Sequence, residues 1–278
     1  MQNGFYSVTG GMVTQFNRLD QISNNLANMN TNGYKQRNHI IGDFMRIYQQ
    51  KRDELPLQNH TKEAAKFLNR SINRVPRVVE EYTDFSMGPM EATGNPLDLA
   101  LGDRDLFFAV ETPAGVRLTR DGSFKLDEKG RMVTKEGYPV LPSAYFRSRR
   151  PLTIPAEAAQ IKIDGSGRVE YMDPTAPDTP VYVDSLMIVR VDDMQSLKPE
   201  GENLFTLEGG VKEADLHVAR GLSALKQGMI EKSNVNPVRQ MTELIETNRL
   251  VEMYQKAMSA QMDDLNSDAI NKLASIRA

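Results

Sequence analysis

Apolar residues recur along the chain in two rhythms, and the change of rhythm divides it. From the start the spacing alternates between three and four: Phe5, Val8, Met12, Leu19, Ile22, Leu26 and Met29, with Gln15 as the one polar member. That is the seam of a helix packed lengthwise on another helix. Asn32-Gly33 predicts its end, Gly being the usual residue just past a last turn. The final stretch repeats the rhythm. Asn236-Pro237 predicts a helix start, because Asn caps free N–H groups and Pro tolerates the first helical position. With Met241 as heptad position a, that row holds Met241, Asn248, Gln255, Met262, Ala269 and Ile276, and row d holds Leu244, Val251, Met258, Leu265 and Lys272. No Gly or Pro interrupts this stretch, so at 1.5 Å per residue it makes a helix roughly 60 Å long.

Between the ends the period falls to two. Leu118 to Leu126 alternates around a turn, and Asp127-Glu128-Lys129-Gly130-Arg131 is a second turn. Asp164-Gly165-Ser166-Gly167-Arg168 repeats it after Ile161-Lys162-Ile163, with Asp three residues before Gly and Arg after it, as hairpins allow. Leu186 to Val191, broken only by Arg190, suits a buried strand. Gly228-Met229-Ile230-Glu231 is strand-like and returns the chain to the last helix. Short strands separated by Gly, Asp and Pro predict a sandwich or open barrel.

The expected fold is therefore α+β. A discontinuous coiled-coil helical domain is made of the two chain ends, with a mainly antiparallel β domain inserted between them. The expected boundaries are 1–34 for the N-terminal helix, 35–74 for a connector, 75–230 for the β domain and 231–278 for the C-terminal helix. Thr61 to Leu68 reads as a short helix within the connector. Two seams at opposite ends of one chain most simply pair with each other, antiparallel.

Two details point beyond an intramolecular pair. A first helix of about 27 residues spans roughly 40 Å and leaves about a third of the last helix uncovered, including Leu265 and Ile276. Burying one such side chain is worth roughly 1.5–3 kcal/mol. Up to Tyr34, moreover, the only charged side chains are Arg18 and Asp20. A solvated helix normally carries Lys and Glu on its outer face, whereas uncharged amides can be buried at lower cost. The first helix thus reads as one built to be surrounded by other subunits; the alternative is a monomer with a polar helical hairpin.

Composition narrows the function. The chain has 278 residues, 34 basic and 37 acidic, for a net charge of -3, which favours neither nucleic acid nor a polybasic membrane contact. It has no Cys, which excludes disulfides and thiolate chemistry. No apolar run approaches a membrane span, and no cleavable signal peptide is expected. His39, His60 and His217 have no partner at ligand spacing and read as solvated loop histidines, so neither metal nor cofactor is expected. Gly165-Ser166-Gly167 is a turn and not a nucleophile elbow. The Asp121-Gly122-Ser123 and Asp164-Gly165-Ser166 turns lack the alternating ligands of a calcium loop. No phosphate-binding loop or dinucleotide fingerprint occurs. Arg147, Arg149 and Arg150 suit a loop or an acidic neighbour better than nucleic acid. No enzyme is expected.

Several motifs carry a family resemblance. Asn24-Asn25-Leu26-Ala27-Asn28 and Thr31-Asn32-Gly33-Tyr34-Lys35 resemble the N-terminal signature of bacterial flagellar rod and hook proteins. Asn95 to Ala100 and Thr119-Arg120-Asp121-Gly122-Ser123-Phe124 are similar to their central motifs. Ser233-Asn234-Val235-Asn236-Pro237, followed by Met241, Leu244, Ile245, Arg249 and Glu252, resembles their C-terminal signature. The markers span nearly the whole chain, and its length is similar to that of rod proteins of the FlgF/FlgG type.

The resemblance implies a structural subunit of the basal-body rod, in the periplasm, exported through the flagellar type III apparatus without a cleaved signal peptide. Its partners would be further copies of itself and other rod and hook proteins, with torque passing from motor to hook. The assembly interface would hold Phe5, Val8, Met12, Leu19, Ile22, Leu26, Met29, Met241, Leu244, Ile245, Val251, Met258, Met262 and Leu265. Leu101 to Phe108 lacks the second Gly of the family's Gly-x-Gly-Phe-Phe turn and is one residue longer, which leans toward the FlgF branch and a proximal position. The long connector leans toward the FlgG branch and a distal one. FlgF is the first reading and FlgG the alternative. A reading of another class is a non-enzymatic adaptor that captures a partner helix on its seam.

Overall fold

The computed structural model describes residues 2–43, 76–155, 158, 160–174, 176–207, 217–218 and 225–276. It is α+β, with mostly antiparallel sheets between terminal helices and no closed barrel among the described residues. The chain forms two compact units. One comprises Met1–Ala27, Arg37–Tyr82 and Asn236–Ala278, the other Asn28–Gln36 and Thr83–Val235. Most of the expected connector, including the short helix at Thr61 to Leu68, lies outside the described residues.

The first unit is built on helix α1, Gln2–Ala27, and a 40-residue helix, Pro237–Ile276, referred to as the long helix. The long helix starts where Asn236 and Pro237 predict. Asn236 Oδ1 accepts from Arg239 N at 3.1 Å, satisfying one of the first turn's free donors. The two helices run antiparallel. Gly11 lies against the Tyr254 ring, and Asn25 Nδ2 donates to Gln240 Oε1 at 3.2 Å. Fourteen residues forward along α1 are matched by 14 back along its partner. Helix α1 ends earlier than Asn32-Gly33 suggests, because Asn28 starts a turn in which its carbonyl accepts from Thr31 N at 3.1 Å. Strands Arg37–Asp43 and Pro76–Thr83 pair as a two-stranded ribbon.

The second unit centres on an antiparallel sheet. Its strand order is Leu197–Gly201, Leu204–Leu207, Gly115–Thr119, Leu106–Thr112, Ile188–Arg190, His217–Val218. Side chains on a strand alternate between faces. Leu106, Phe108 and Val110 accordingly enter one apolar cluster, and Phe107 and Ala109 another. Leu186 and Ile188 join the first cluster, Met187 and Val189 the second. Burial on both faces explains why these stretches are continuously apolar.

Both Asp-x-x-Gly-Arg turns form hairpins. Asp127 Oδ1 accepts from Lys129 N and Arg131 N, and Lys125 and Leu126 pair with Val133 and Met132. Asp164 Oδ1 accepts from Ser166 N and Arg168 N, and strand Gln160–Ile163 pairs with Arg168–Asp173. Gly130 and Gly167 take φ of +73° and +81°, the left-handed conformation these turns require.

Candidate assembly surface and buried charge cluster

Among the described residues the buried positions of the long helix include one expected row, and the other row is displaced. Of row d on the long helix, Val251 is buried, and Leu244 and Met258 are half-buried. The other row lies one residue earlier. Gln240 and Thr247 are buried and Tyr254 and Gln261 half-buried, while Met241, Asn248, Gln255 and Met262 are exposed. On α1, Ile22 is buried as expected, and so are Gly11, Thr14, Gln15 and Asn25. Val8, Met12, Leu19 and Leu26 are half-buried on its flank, and Met29, half-buried too, belongs to the second unit. The side chains of Phe5 and Leu265 lie outside the described residues.

Small and amide side chains thus share the buried seam with Ile22 and Val251. Several other large apolar side chains are left outside it. Val238, Met241 and Ile245, spaced three and four apart on one helix face, are 76%, 52% and 54% exposed. Val13 and Phe16 on α1 are exposed as well.

Asn25 organises the polar part of the first unit. Its Nδ2 donates to Arg37 O at 2.9 Å and to Gln240 Oε1, and its Oδ1 accepts from Arg37 N at 3.1 Å. One buried amide therefore joins α1, the start of the first ribbon strand and the long helix. Asn24 beside it is exposed.

In the second unit Gly33, Lys35 and Arg120 of the motifs meet around Glu231. Glu231 Oε1 accepts from Lys35 Nζ at 2.7 Å and Gly88 N at 2.9 Å. Oε2 accepts from Arg120 Nε at 3.0 Å and Nη2 at 2.5 Å. The Glu231 carbonyl accepts from Gly33 N at 2.7 Å. Lys35 Nζ also donates to Ser86 O. Arg120 Nη1 donates to Asp103 O and Leu106 O, so Arg120 holds the turn between Leu101 and Phe108. Burial pushes the Lys35 ammonium below its usual pKa; Glu231 opposes the shift and Arg120 adds to it.

The other signature residues are also held in place, most of them in the second unit and Asn236 and Pro237 in the first. Gly33 has φ of +68°, and a Cβ there would lie 2.4 Å from Asp121 N. Tyr34 and Val235 are buried. Asn234 Oδ1 accepts from Gln36 N at 2.7 Å, and its Nδ2 donates to Asp84 O and Ser86 O. Thr31 Oγ1 donates to Asn28 Oδ1. Asn236 caps the long helix, and Pro237 is its exposed first residue.

Two histidines depart from expectation. His39 is not on a loop: it lies in strand Arg37–Asp43, with Nε2 2.9 Å from Glu81 Oε1. Its partner comes from the paired strand, 42 residues away, which local spacing does not reveal. His217 is likewise in a strand, and His60 lies outside the described residues. Among the described residues no group of three or more His, Asp or Glu is placed to hold a metal ion. Arg147, Arg149 and Arg150 are exposed.

The Glu231 cluster is the feature that sequence reasoning missed. Lys35 and Arg120 stand inside recognised motifs and Glu231 ends a recognised strand. Nothing local joins them, because Glu231 lies 196 residues from Lys35 and 111 from Arg120.

Comparison with known proteins follows the same motifs. Residues 5–35 match the family described as flagella basal body rod protein. Residues 105–171 match the flagellar hook protein FlgE/F/G D1 domain, and residues 226–272 the flagellar basal body rod FlgEFG protein C-terminal family. The chain is 30% identical to the flagellar basal-body rod protein FlgG of Borreliella burgdorferi, over 93% of this chain and 94% of that protein. It is also 30% identical to the flagellar basal-body rod protein FlgF of Caulobacter vibrioides, over 99% and 100%. The FlgG of Buchnera aphidicola subsp. Acyrthosiphon pisum matches at 30% over 91% and 93%.

Proposed function

The chain belongs to the flagellar basal-body rod family of the FlgF and FlgG type, as a structural subunit of the rod, and from that premise we propose that it assembles helically through its terminal helices. The observation that carries this reading is the apolar row Val238, Met241 and Ile245, which the chain's own α1 leaves exposed. Drying each side chain is worth roughly 1.5–3 kcal/mol, so a neighbouring subunit that covers the row gains several such contributions. Head-to-tail contacts that do not close on themselves generate a helical filament. The terminal helices form the coiled-coil inner part, with the β domain inserted between them in sequence.

Its partners are other copies of itself and other flagellar rod and hook proteins, reached through the type III export apparatus. Its place is the periplasmic rod, where it passes torque from motor to hook. FlgF and FlgG relatives match at the same identity, so identity does not choose the branch. The proximal, FlgF-like position rests on the turn from Leu101 to Phe108. An adaptor role is not favoured, since relatives covering nine tenths or more of the chain carry rod-protein names. The family is structural and supplies no enzymatic role.

The test is Met241→Asp combined with Ile245→Asp. Both positions are exposed, so the purified variant melts as the wild type does. Cells carrying it build rods that stop short and do not swim. Normal motility with both substitutions in place overturns the reading.

A further inference from the structure

Three stretches far apart in sequence end on one carboxylate. Glu231 stands between the ammonium of Lys35 and the guanidinium of Arg120, and the three side chains are 1%, 0% and 0% exposed. Two buried cations share a single bridging anion. Breaking a buried pair by removing one partner is much more damaging than the net worth of the pair, because the remaining charge stays desolvated. Lys35 can escape by shedding its proton, but Arg120 cannot, since guanidinium stays charged in proteins.

The backbone around the cluster depends on the same stretch. Gly33 N donates to Glu231 O, Gly88 N to the Glu231 carboxylate and Gln36 N to Asn234 Oδ1. Asp84 O and Ser86 O accept from Asn234 Nδ2. Residues 33–36 and 84–88 thus draw these partners from residues 231–234. In chain order the dependent groups come first and their partners nearly last.

The geometry points to a completion latch: the second unit stays open around Lys35 and Arg120 until the C-terminal stretch delivers Glu231 and Asn234, and the segment after α1 then locks together with the segment before the long helix in one step. A chain whose last fifth has not arrived holds two cations without their counter-ion and several backbone amides without acceptors. That state resists closure, because unpaired buried charges and amides each cost stability. The latch makes a closed second unit a property of the whole chain, not of a part of it. It concerns the single chain, so its failure leaves the assembly reading standing, and failed assembly leaves the latch standing.

Hydrogen exchange on the full-length chain at neutral pH tests it. In Glu231→Gln, which keeps the shape and removes the charge, the Gly33 and Gly88 amides exchange about 100-fold faster or more, as expected when a buried pair is broken. The Ala109 and Leu141 amides, bonded to Met187 O and Ala109 O in the sheet region, change by less than about threefold, which marks the opening as local. Wild-type protection of Gly33 and Gly88 in Glu231→Gln overturns the latch. If Glu231→Gln does not fold, pulse labelling of refolding wild-type protein decides. The Gly33 and Gly88 amides and that of Lys232, which donates to Pro89 O, gain protection in one phase if the latch holds, and Gly33 protected ahead of Lys232 overturns it.

Discussion

Gly11 faces the ring of Tyr254 so closely that a Cβ at Gly11 would stand 2.6 Å from Cε1 and 2.7 Å from Cζ. A glycine inside a helix costs about 1 kcal/mol relative to alanine, so its presence mid-helix calls for a packing reason. The contact supplies one. Gly11→Ala gains about 1 kcal/mol of helix propensity and loses a similar amount by displacing the ring tip, so its net effect is small. Gly11→Leu has no such balance and is expected to lose about 2 kcal/mol or more as the helices separate. Urea unfolding of both variants checks this, and a Leu variant as stable as wild type would mean that the ring swings aside freely.

Adjacent asparagines in the N-terminal motif have unequal roles. Asn25 is 1% exposed and bonds Arg37 N, Arg37 O and Gln240 Oε1, whereas Asn24 is exposed. Asn25→Ala leaves buried backbone groups without these partners and is expected to cost about 2–3 kcal/mol. Asn24→Ala costs clearly less. Thermal melts of the two variants measure the difference, and equal losses contradict the hub assigned to Asn25.

Gly33 is under two constraints. Its φ of +68° disfavours any side chain, and a Cβ would meet backbone atoms of Asp121 and Arg120 at 2.4 and 2.5 Å. Backbone cannot swing away as the Tyr254 ring can. Gly33→Ala is therefore expected to lose about 2–4 kcal/mol, conformational strain and overlap together. The denaturation midpoint reports it. A loss below that of Gly11→Leu would show the turn to be more yielding than its contacts imply.

These positions also show which features can be read from sequence. Features carried by short spacing were legible. The two Asp-x-x-Gly-Arg turns, the doubly buried strand near Leu186 and the Asn236 cap each rest on neighbours within a few residues. The pairing of the terminal helices was legible too, since both ends share one period. The displaced row was not. Counting apolar side chains places Met241 and Met262 in the seam, but burial falls on Gly11, Thr247 and Gln240 instead. Less legible still was the Glu231 cluster, because a buried ion pair between distant segments leaves no periodic trace. Lys35 and Arg120 looked like motif positions, with nothing to say that they share an anion.

Lys35 gives the cluster a signature in alkali. Burial lowers its pKa from the usual 10.5 most, Glu231 raises it in part, and Arg120 lowers it further. Between the lowered value and 10.5, the unfolded chain keeps the Lys35 proton that the folded chain has released. The unfolded state then binds more protons, so stability rises with pH across that window. Below the folded pKa both states are protonated and the contribution is flat; above 10.5 both are neutral and it is flat again. Tyrosines and other lysines titrate in the same range, so the measurement is a difference. Urea unfolding of wild type and Lys35→Met from pH 7 to about 11 is expected to show wild type gaining on the variant as pH climbs toward 10.5. A wild type that instead loses ground to Lys35→Met over that interval would mean that Glu231 outweighs burial and holds the ammonium charged.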